Sequence, residues 1–403
     1  MTKQKIYPWA VCIVGALVLF CNIGLYSTVN SIFQPYIISE NSFTHTEASL
    51  IVTMRSFVGV ITMALTGKYI EKLKTRLAAA VSLVILGLGF FAYSVAGNLY
   101  IYFIGSVLIG AGHSFGGMVL ISVIVNNWFN SRQATVIAIC SAGSGLAATV
   151  VPPLITPVIE EKGIGTAYLY ITVFVMLIAF LSFVVLRNSP EELNISPYVS
   201  KKEDKKKVKT FADEDLTKGQ FMLVLIGMFA LGCYTTMNSS YAASLYRFCG
   251  ITSNVVSSVI SVGGVVLIIS KLLYGAIVDR AGCRKTNIFY VGLAILASIM
   301  ISLSGLKNIP HTYASQIVLE IAIPLSTVGT STLAASISKK ESYARNLKNM
   351  QTVYMTGILV YGFLIGVIAD HFGSYVPAEI IAGVLIAIYG ILTIGVLFKK
   401  NKE

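Results

Sequence analysis

The 403-residue chain is too apolar to fold as an ordinary soluble domain. Hydrophobic residues make up 55% of it and charged residues 12%, about half the charged share that is usual in soluble proteins, and the mean hydropathy is +0.77. Apolar runs of roughly 20 residues recur along the whole chain, which is long enough to cross a bilayer as helices. Backbone polar groups must be satisfied internally in lipid, so helices are the expected spans. The sequence predicts an all-α integral membrane protein.

The apolar runs divide into twelve predicted transmembrane spans. They cover about residues 8–36, 47–69, 77–95, 100–126, 134–159, 166–187, 219–245, 254–276, 287–306, 312–337, 349–369 and 376–398. An even number places both termini on one side, where 25 of the 30 Lys and Arg residues fall. Cationic residues stay in the cytoplasm during insertion, so we expect cytoplasmic termini in a multi-pass protein of the plasma (inner) membrane, from a bacterial source. The net charge of +12 is then a topology signal and does not indicate a nucleic-acid partner.

A polar interval separates six spans from six others. It contains KKEDKKKVK at 201–209, and its charge and lack of periodicity are typical of a solvated linker; contact with anionic lipid head groups is the alternative. The sequence therefore predicts an N-terminal six-helix bundle at 1–187, a cytoplasmic linker at 188–218 and a C-terminal six-helix bundle at 219–403.

Two sequence landmarks recur in both halves. GKYIEKLKTR begins at Gly67 and GAIVDRAGCRK begins at Gly275, 208 residues later. EEKGIGTAY, with Gly163, pairs with DHFGSYVPA, with Gly373, at an offset of 210. Nearly equal offsets indicate a duplicated unit. Transporters often carry such repeats, with the substrate site near mid-membrane at the repeat interface.

The second copy of the first landmark resembles the motif between helices 2 and 3 and helices 8 and 9 of the major facilitator superfamily. Its matching positions are Gly275, Asp279, Arg280, Gly282 and Arg284. In the copy at 67–76, Glu71 replaces Asp and Lys74 stands where the second Gly is expected. The resemblance, with twelve spans and a central basic loop, covers the whole chain and implies the major facilitator fold of two pseudo-symmetric bundles. It further implies that these five residues gate the cytoplasmic side by clamping helix ends.

Within that superfamily the chain resembles the monocarboxylate and oxalate/formate porter branch. The stretches that carry this resemblance are NNWFNSRQATVIAICSAGSG at 126–145, VPPL at 151–154 and VIADHFGSY at 367–375. Where the branch often has Arg, four residues before the motif glycine of helix 8, this chain has Lys271. The resemblance implies that Lys271 binds an anion; snorkelling to the membrane surface is the alternative.

Ionisable side chains deep in the spans are few, and such residues usually face a cavity or a partner because an isolated charge in lipid is costly. Arg55 lies about 12 Å from the end of its span by the helical rise, and it either binds substrate or braces a helix. His113 lies among small residues in GAGHSFGG, as a hydrogen-bonded structural residue or as a proton relay.

Glu320 is the one acid that the predicted spans place well inside the membrane. Pro324 follows four residues later and cannot supply the amide that would bond the carbonyl of residue 320, so we expect a kink. Glu320 is either a proton carrier or the static partner of Arg55. Lys271 is the less favoured partner, because the predicted span limits separate the two depths by roughly 15 Å.

Polar side chains recur every three or four residues in spans 1 and 7, so each set shares one helix face. The sets are Asn22, Tyr26 and Asn30, and Tyr234, Asn238 and Tyr241. The superfamily resemblance implies that helices 1, 4, 7 and 10 line the substrate path. We therefore expect these residues to bind substrate, with interhelical hydrogen bonds as the alternative.

The sequence thus favours a monomeric secondary active transporter that moves a small organic anion by alternating access, with proton symport or exchange of a counter-anion. A phosphate-binding loop, a paired metal motif and a nucleophile–base pair are absent from the sequence, so we expect no enzyme activity, metal or cofactor. Two alternatives stay open. One is an exporter of lipophilic drugs in the same fold, and the other is a transport-inactive sensor or scaffold.

Overall fold

The computed structural model describes residues 3–129, 133–198, 212–304, 308–339 and 341–400. In that part of the chain the elements are helical, apart from one isolated bridge between Phe129 and Tyr198. The first helices are α1 (Lys3–Leu19), α2 (Tyr26–Asn41), α3 (His45–Ser94), α4 (Leu99–Phe115), α5 (Met118–Trp128) and α6 (Gln133–Val185). The others are α7 (Lys218–Ser240), α8 (Ala242–Phe248), α9 (Ser253–Ser302), α10 (Ile309–Ala322), α11 (Pro324–Ile337), α12 (Tyr343–Phe372) and α13 (Val376–Lys400).

The described residues form ten helices that are long and apolar enough to cross a membrane. Two of them, in α3 and α6, contain a non-helical residue near the middle, at Lys74 and at Gly163, and each holds two of the predicted spans. With these two helices counted as pairs, the ten agree with the twelve spans expected from the sequence. The all-α membrane fold is confirmed.

The bends in α3 and α9 occupy equivalent places in the two sequence repeats. Lys74 has φ 57° and ψ 169°, and Gly282, again 208 residues later, has φ 80° and ψ 158°. Glycine enters this region without steric cost, whereas a residue with a Cβ is strained there. The motif glycine at 282 is therefore required by a backbone turn, and Lys74 makes the same turn under strain.

The chain separates into two compact units. The first contains residues 1–42 and 51–204, and the second contains residues 43–50 and 205–403. Each unit packs one pair of helices through a glycine. A Cβ at Gly143 would lie 2.1 Å from the carbonyl oxygen of Ala16, and one at Gly357 would lie 2.2 Å from that of Phe229. Helices in the two units therefore approach each other in the same way.

The predicted kink at Pro324 is confirmed as a break between two helices. α10 ends at Ala322, α11 begins at Pro324, and Ile323 forms a turn between them. Because proline has no amide hydrogen, the helix cannot form the bond that would close on the carbonyl of Glu320. The break thus follows directly from the sequence.

The polar interval between the units is ordered at both of its described ends. In the first unit the backbone N–H of Tyr198 donates to the carbonyl oxygen of Trp128 (2.9 Å). In the second unit Asp215 accepts hydrogen bonds from the backbone N–H of Lys339 (2.9 Å) and from the hydroxyl of Ser342. The basic run at 201–209 lies outside the described residues.

Candidate functional site

The first unit contains a compact group of polar side chains around Arg55, here called the Arg55 cluster (Asn22, Tyr26, Arg55 and His113). Arg55 on α3 is 3% exposed. Its Nη1 donates to the carbonyl oxygen of Tyr26 (2.9 Å), and its guanidinium lies 3.9 Å from the centroid of the Tyr26 ring. The contacts with a carbonyl oxygen and with an aromatic face both favour a cation at this place.

His113 on α4 stacks on Tyr26, with 3.8 Å between ring centroids and 17° between planes. Its Nδ1 donates to the carbonyl oxygen of Asn22. These contacts hold the ring on both sides, so the structural alternative accounts for His113 and a relay role stays a prediction. The stack also fixes the orientation of Tyr26, and with it the position of Arg55.

A π-helical turn over Phe20–Leu25 joins α1 to α2 and shapes this cluster. The backbone N–H of Tyr26 bonds to the carbonyl of Ile23, whereas a regular α-turn would use the carbonyl of Asn22. The carbonyl of Asn22 thus accepts from His113. π-Turns are frequent at functional sites, and no pattern in the sequence predicts this one.

Small residues bring α4 close to the cluster. A Cβ at Gly110 would lie 2.2 Å from the carbonyl oxygen of Arg55, and one at Gly116 would lie 2.3 Å from the Nδ2 of Asn22. Gly110 therefore requires glycine, because the backbone it meets cannot move aside, whereas a Cβ at Gly116 would displace the side chain of Asn22. The glycines in GAGHSFGG serve close helix packing beside the candidate site.

Two polar atoms of the Arg55 cluster are buried and have no hydrogen-bond partner among the described residues: Nε of Arg55 and Oδ1 of Asn22. In the described part of the first unit, no carboxylate forms an ion pair with Arg55. A buried charge without a counter-charge is unfavourable by several kcal/mol. The cluster therefore carries a buried positive charge, and its binding of an anion stays a prediction. Asn30, the third residue of the predicted stripe, is 9% exposed on α2.

The second unit contains a group of charged and amide side chains, here called the Lys271 cluster (Tyr246, Lys271, Gln316 and Glu320). Lys271 on α9 and Glu320 on α10 interact electrostatically. Gln316 donates from Nε2 to Glu320 Oε1 (2.9 Å), and Tyr246 donates to Gln316 Oε1 (3.1 Å). The carboxyl group thus accepts from an amide donor and interacts electrostatically with a lysine.

Lys271, the less favoured partner of Glu320 in the sequence, interacts electrostatically with it, and a direct pairing of the two stays a prediction. α10 begins at Ile309, three residues before the predicted start, so Glu320 is further from the first residue of its helix than the sequence suggested. The two residues are 18 and 11 positions from the first residues of their helices, a difference of about 10 Å. The Cβ of Lys271 also tilts toward the N-terminus of its helix, and the four-carbon side chain of the lysine spans much of this 10 Å difference.

The predicted polar stripe of α7 packs inside the second unit. Tyr234 donates to the carbonyl of Ala294 (3.4 Å), Asn238 Nδ2 to the carbonyl of Tyr234 (3.0 Å), and Tyr241 to the carbonyl of Gly362 (2.8 Å). All three side chains are at most 4% exposed. Interhelical hydrogen bonding, the alternative considered for these residues, accounts for the two tyrosines, whereas the bond of Asn238 lies within α7. Substrate contact of all three residues stays a prediction.

The predicted gating motif forms the bend of α9. Gly275 lies in the helix, Gly282 makes the turn, and Arg284 is partly buried just beyond it. Arg280 is exposed, and the side chain of Asp279 lies outside the described residues. The backbone geometry explains the second glycine, while the clamping role of the charged residues stays a prediction.

Glu379 was not predicted as a buried acid, because it falls in the first turn of its span, at the expected end of the helix. In the structure Glu379 is 1% exposed and accepts a hydrogen bond from the hydroxyl of Ser298 (2.5 Å). Glu320 is therefore not the only acid inside the membrane segments. The signal that could have found it is an acid in the first turn of a helix, where the helix dipole favours it.

In the described part of the chain, no group of three or more His, Cys, Asp or Glu could hold a metal ion.

The comparisons with known proteins address the whole chain. The family model described as Major Facilitator Superfamily matches residues 15–307 and 223–403. A search of curated proteins found no match.

Solved transporter structures share the fold at low sequence identity. A bacterial homologue of the human lysosomal transporter Spinster has a TM-score of 0.69 at 12% identity, over 99% of this chain and 97% of that chain. A point mutant of the nucleoside transporter NupG has a TM-score of 0.69 at 12% identity, over 96% and 99%. A transporter of the POT family in complex with 5-aminolevulinic acid has a TM-score of 0.72 at 14% identity, over 100% and 98%. The chain belongs to the Major Facilitator Superfamily and is a membrane transporter rather than an enzyme.

Proposed function

We propose that the protein is a secondary active transporter that moves a small organic anion, a monocarboxylate or small dicarboxylate, by alternating access. The observation that supports this most strongly is the buried Arg55, which has an unpartnered Nε and no carboxylate partner in the described part of its unit. A guanidinium presents its donors in a planar fork that matches the geometry of a carboxylate. The unpartnered Asn22 Oδ1 would accept a hydroxyl or protonated group of the same substrate.

The Lys271 cluster supports a coupling role for Glu320. As long as Glu320 is ionised, its charge offsets that of Lys271, and an anion gains little from the lysine. When Glu320 takes a proton from water, the offset disappears and the lysine charge attracts an anion. Proton and anion would then bind together, as symport requires. Exchange of one anion for another is the alternative, in which the incoming anion replaces the carboxylate as the neighbour of Lys271.

The proposal also includes the membrane, the topology and the subfamily of the protein. The distribution of Lys and Arg along the sequence supports a multi-pass protein of the plasma membrane with both termini in the cytoplasm, working as a monomer. The bends at Lys74 and Gly282 join consecutive spans and are the places where alternating access would move helix ends. The porter branch of monocarboxylates and oxalate remains the suggested subfamily on the sequence motifs given above.

Reconstitution into liposomes tests the proposal. A panel of labelled lactate, formate and oxalate is offered with a pH gradient or with a counter-anion inside. Arg55→Gln is expected to lower uptake at least tenfold, because the buried site loses its charge. Arg55→Lys is expected to recover part of it, since a lysine keeps the charge without the fork. Lys162→Gln, which changes an exposed lysine, is the matched control and should leave uptake unchanged.

Other outcomes would replace the proposal. Energised export of cationic dyes without uptake of any carboxylate would favour the lipophilic-drug exporter. Absence of any flux, together with ligand-dependent binding of a second protein, would favour a sensor. Equal uptake by the wild type and Arg55→Gln would refute the role given to Arg55.

A further inference from the structure

A second buried carboxyl group lies in the C-terminal unit, on a different helix from Glu320. Glu379, in the first turn of α13, is 1% exposed. Its Oε1 accepts a hydrogen bond from Ser298 on α9 (2.5 Å), and its carboxyl also meets the side-chain amide of Asn238 on α7. Three helices therefore enclose the group, which neither the family match nor the predicted site assigns to any role.

The surroundings of Glu379 contain no compensating positive charge among the described residues. The titratable groups that interact with it are phenols, namely Tyr234 on α7, Tyr246 on α8 and Tyr361 on α12, and α9 contributes the hydroxyl of Ser298. In the same part of the chain no lysine, arginine or histidine pairs with it. The amino end of α13 offers at most about half a positive charge. An ionised Glu379 would thus be a buried and largely uncompensated anion, which is unfavourable by several kcal/mol.

Among the polar atoms around Glu379, the amide oxygen of Asn238 is the one that a neutral carboxyl group would satisfy. The Nδ2 of Asn238 donates to the carbonyl of Tyr234 (3.0 Å), which fixes the orientation of the amide. Its Oδ1 is buried and has no donor among the described residues. A carboxylate cannot supply a hydrogen to this oxygen, whereas a carboxylic acid has an O–H to donate. A protonated Glu379 would therefore accept from Ser298 and donate to Asn238.

We propose that Glu379 is a proton-binding site of the C-terminal unit, occupied by a proton in this conformation. The proton moves to the carboxylate from a hydronium ion, which leaves as water, and the reverse transfer requires water to enter between α7, α9 and α13. The site is distinct from Glu320, which lies on α10, and the proposal does not depend on which substrate the protein carries. It gives the transporter a second carboxyl group that changes charge when these three helices separate.

Infrared difference spectroscopy of the purified full-length protein in lipid tests this site directly. A pH step should reveal the C=O stretching band of a protonated carboxyl group that Glu379→Gln lacks and Glu320→Gln retains. Ser298→Ala should shift the frequency of the band, because it removes the 2.5 Å donor, without abolishing it. Glu379→Gln should fold as stably as the wild type, since the amide can accept from Ser298 and donate to Asn238, as the acid does.

The contrary results are equally specific. Identical difference spectra for the wild type and Glu379→Gln after every pH step would overturn the proposal, because they would mean that Glu379 neither binds nor releases a proton. A Glu379→Gln variant as unstable as Glu379→Leu would also overturn it, since the site would then need the negative charge. Either result would leave the role of Arg55 in anion transport untouched.

Discussion

Replacing Lys74 by glycine is expected to stabilise the protein, although lysine is normally the better residue in a helix. Lys74 lies at φ 57° and ψ 169°, a conformation that costs a residue with a Cβ about 1–3 kcal/mol. Glycine removes this strain, but it also increases the conformational entropy of the unfolded chain, which lowers stability by about 0.4–1 kcal/mol. The net gain is roughly 0–2.6 kcal/mol, which for a unit of about 200 residues raises the melting temperature by up to about 10 °C.

Thermal unfolding of the detergent-solubilised protein, followed by intrinsic fluorescence, measures this effect. Lys72→Gly makes the same exchange at an exposed position of α3 where the backbone is helical, and it should destabilise by about 1 kcal/mol. Gly282→Lys transfers the strain to the equivalent bend of α9 and should also lower the melting temperature. If Lys74→Gly and Lys72→Gly lower it equally, the strain assigned to Lys74 does not exist.

Three further predictions concern packing, the break in α10 and the linker. Gly357→Ala would place a Cβ 2.2 Å from a carbonyl oxygen and should destabilise by about 1–3 kcal/mol in the same thermal assay, whereas Gly395→Ala, with open space around it, should not destabilise. Pro324→Ala restores an amide for the carbonyl of Glu320 and should slow liposome uptake while stability is kept or raised; unchanged uptake would show that the break is dispensable. Hydrogen bonds from Ser342 and Lys339 hold the pKa of Asp215 below its ordinary value of 3.8. Its contribution to stability is therefore present above about pH 3.8 and is lost as the pH falls through the lower folded pKa. The melting temperatures of the wild type and Asp215→Asn should differ at neutral pH and converge in acid, and a constant difference would contradict this.

The sequence carried enough information to predict the spans and the positions of several breaks. The spans follow from hydropathy, since each needs a long apolar run. Pro324 and the glycines at 163 and 282 mark breaks for local reasons, because proline lacks an amide hydrogen and glycine adopts the backbone conformation of those turns without strain. Lys74 could be placed only through the repeat, because lysine itself favours a helix.

The candidate sites were predictable as a set of residues but not as contacts. Burial of Arg55 followed from its depth in a span, whereas its contact with Tyr26, and the stack of Tyr26 on His113, depend on where α2 and α4 meet α3. The predicted span limits disfavoured an interaction between Lys271 and Glu320, because they began α10 three residues late. Glu379 was missed for a different reason, because a hydropathy window does not determine whether the first turn of a helix is buried by its neighbours.

The π-turn over Phe20–Leu25 has a consequence for insertions and deletions. Such a turn contains one residue more than the α-helix around it needs, so deleting one residue between 20 and 25 should return the backbone to a regular helix and leave the flanking segments in register. The span would still cross the membrane, but the carbonyl of Asn22 would be used within the helix and lost to His113. The shape of the Arg55 cluster therefore depends on how many residues the first span contains, independently of which residues they are.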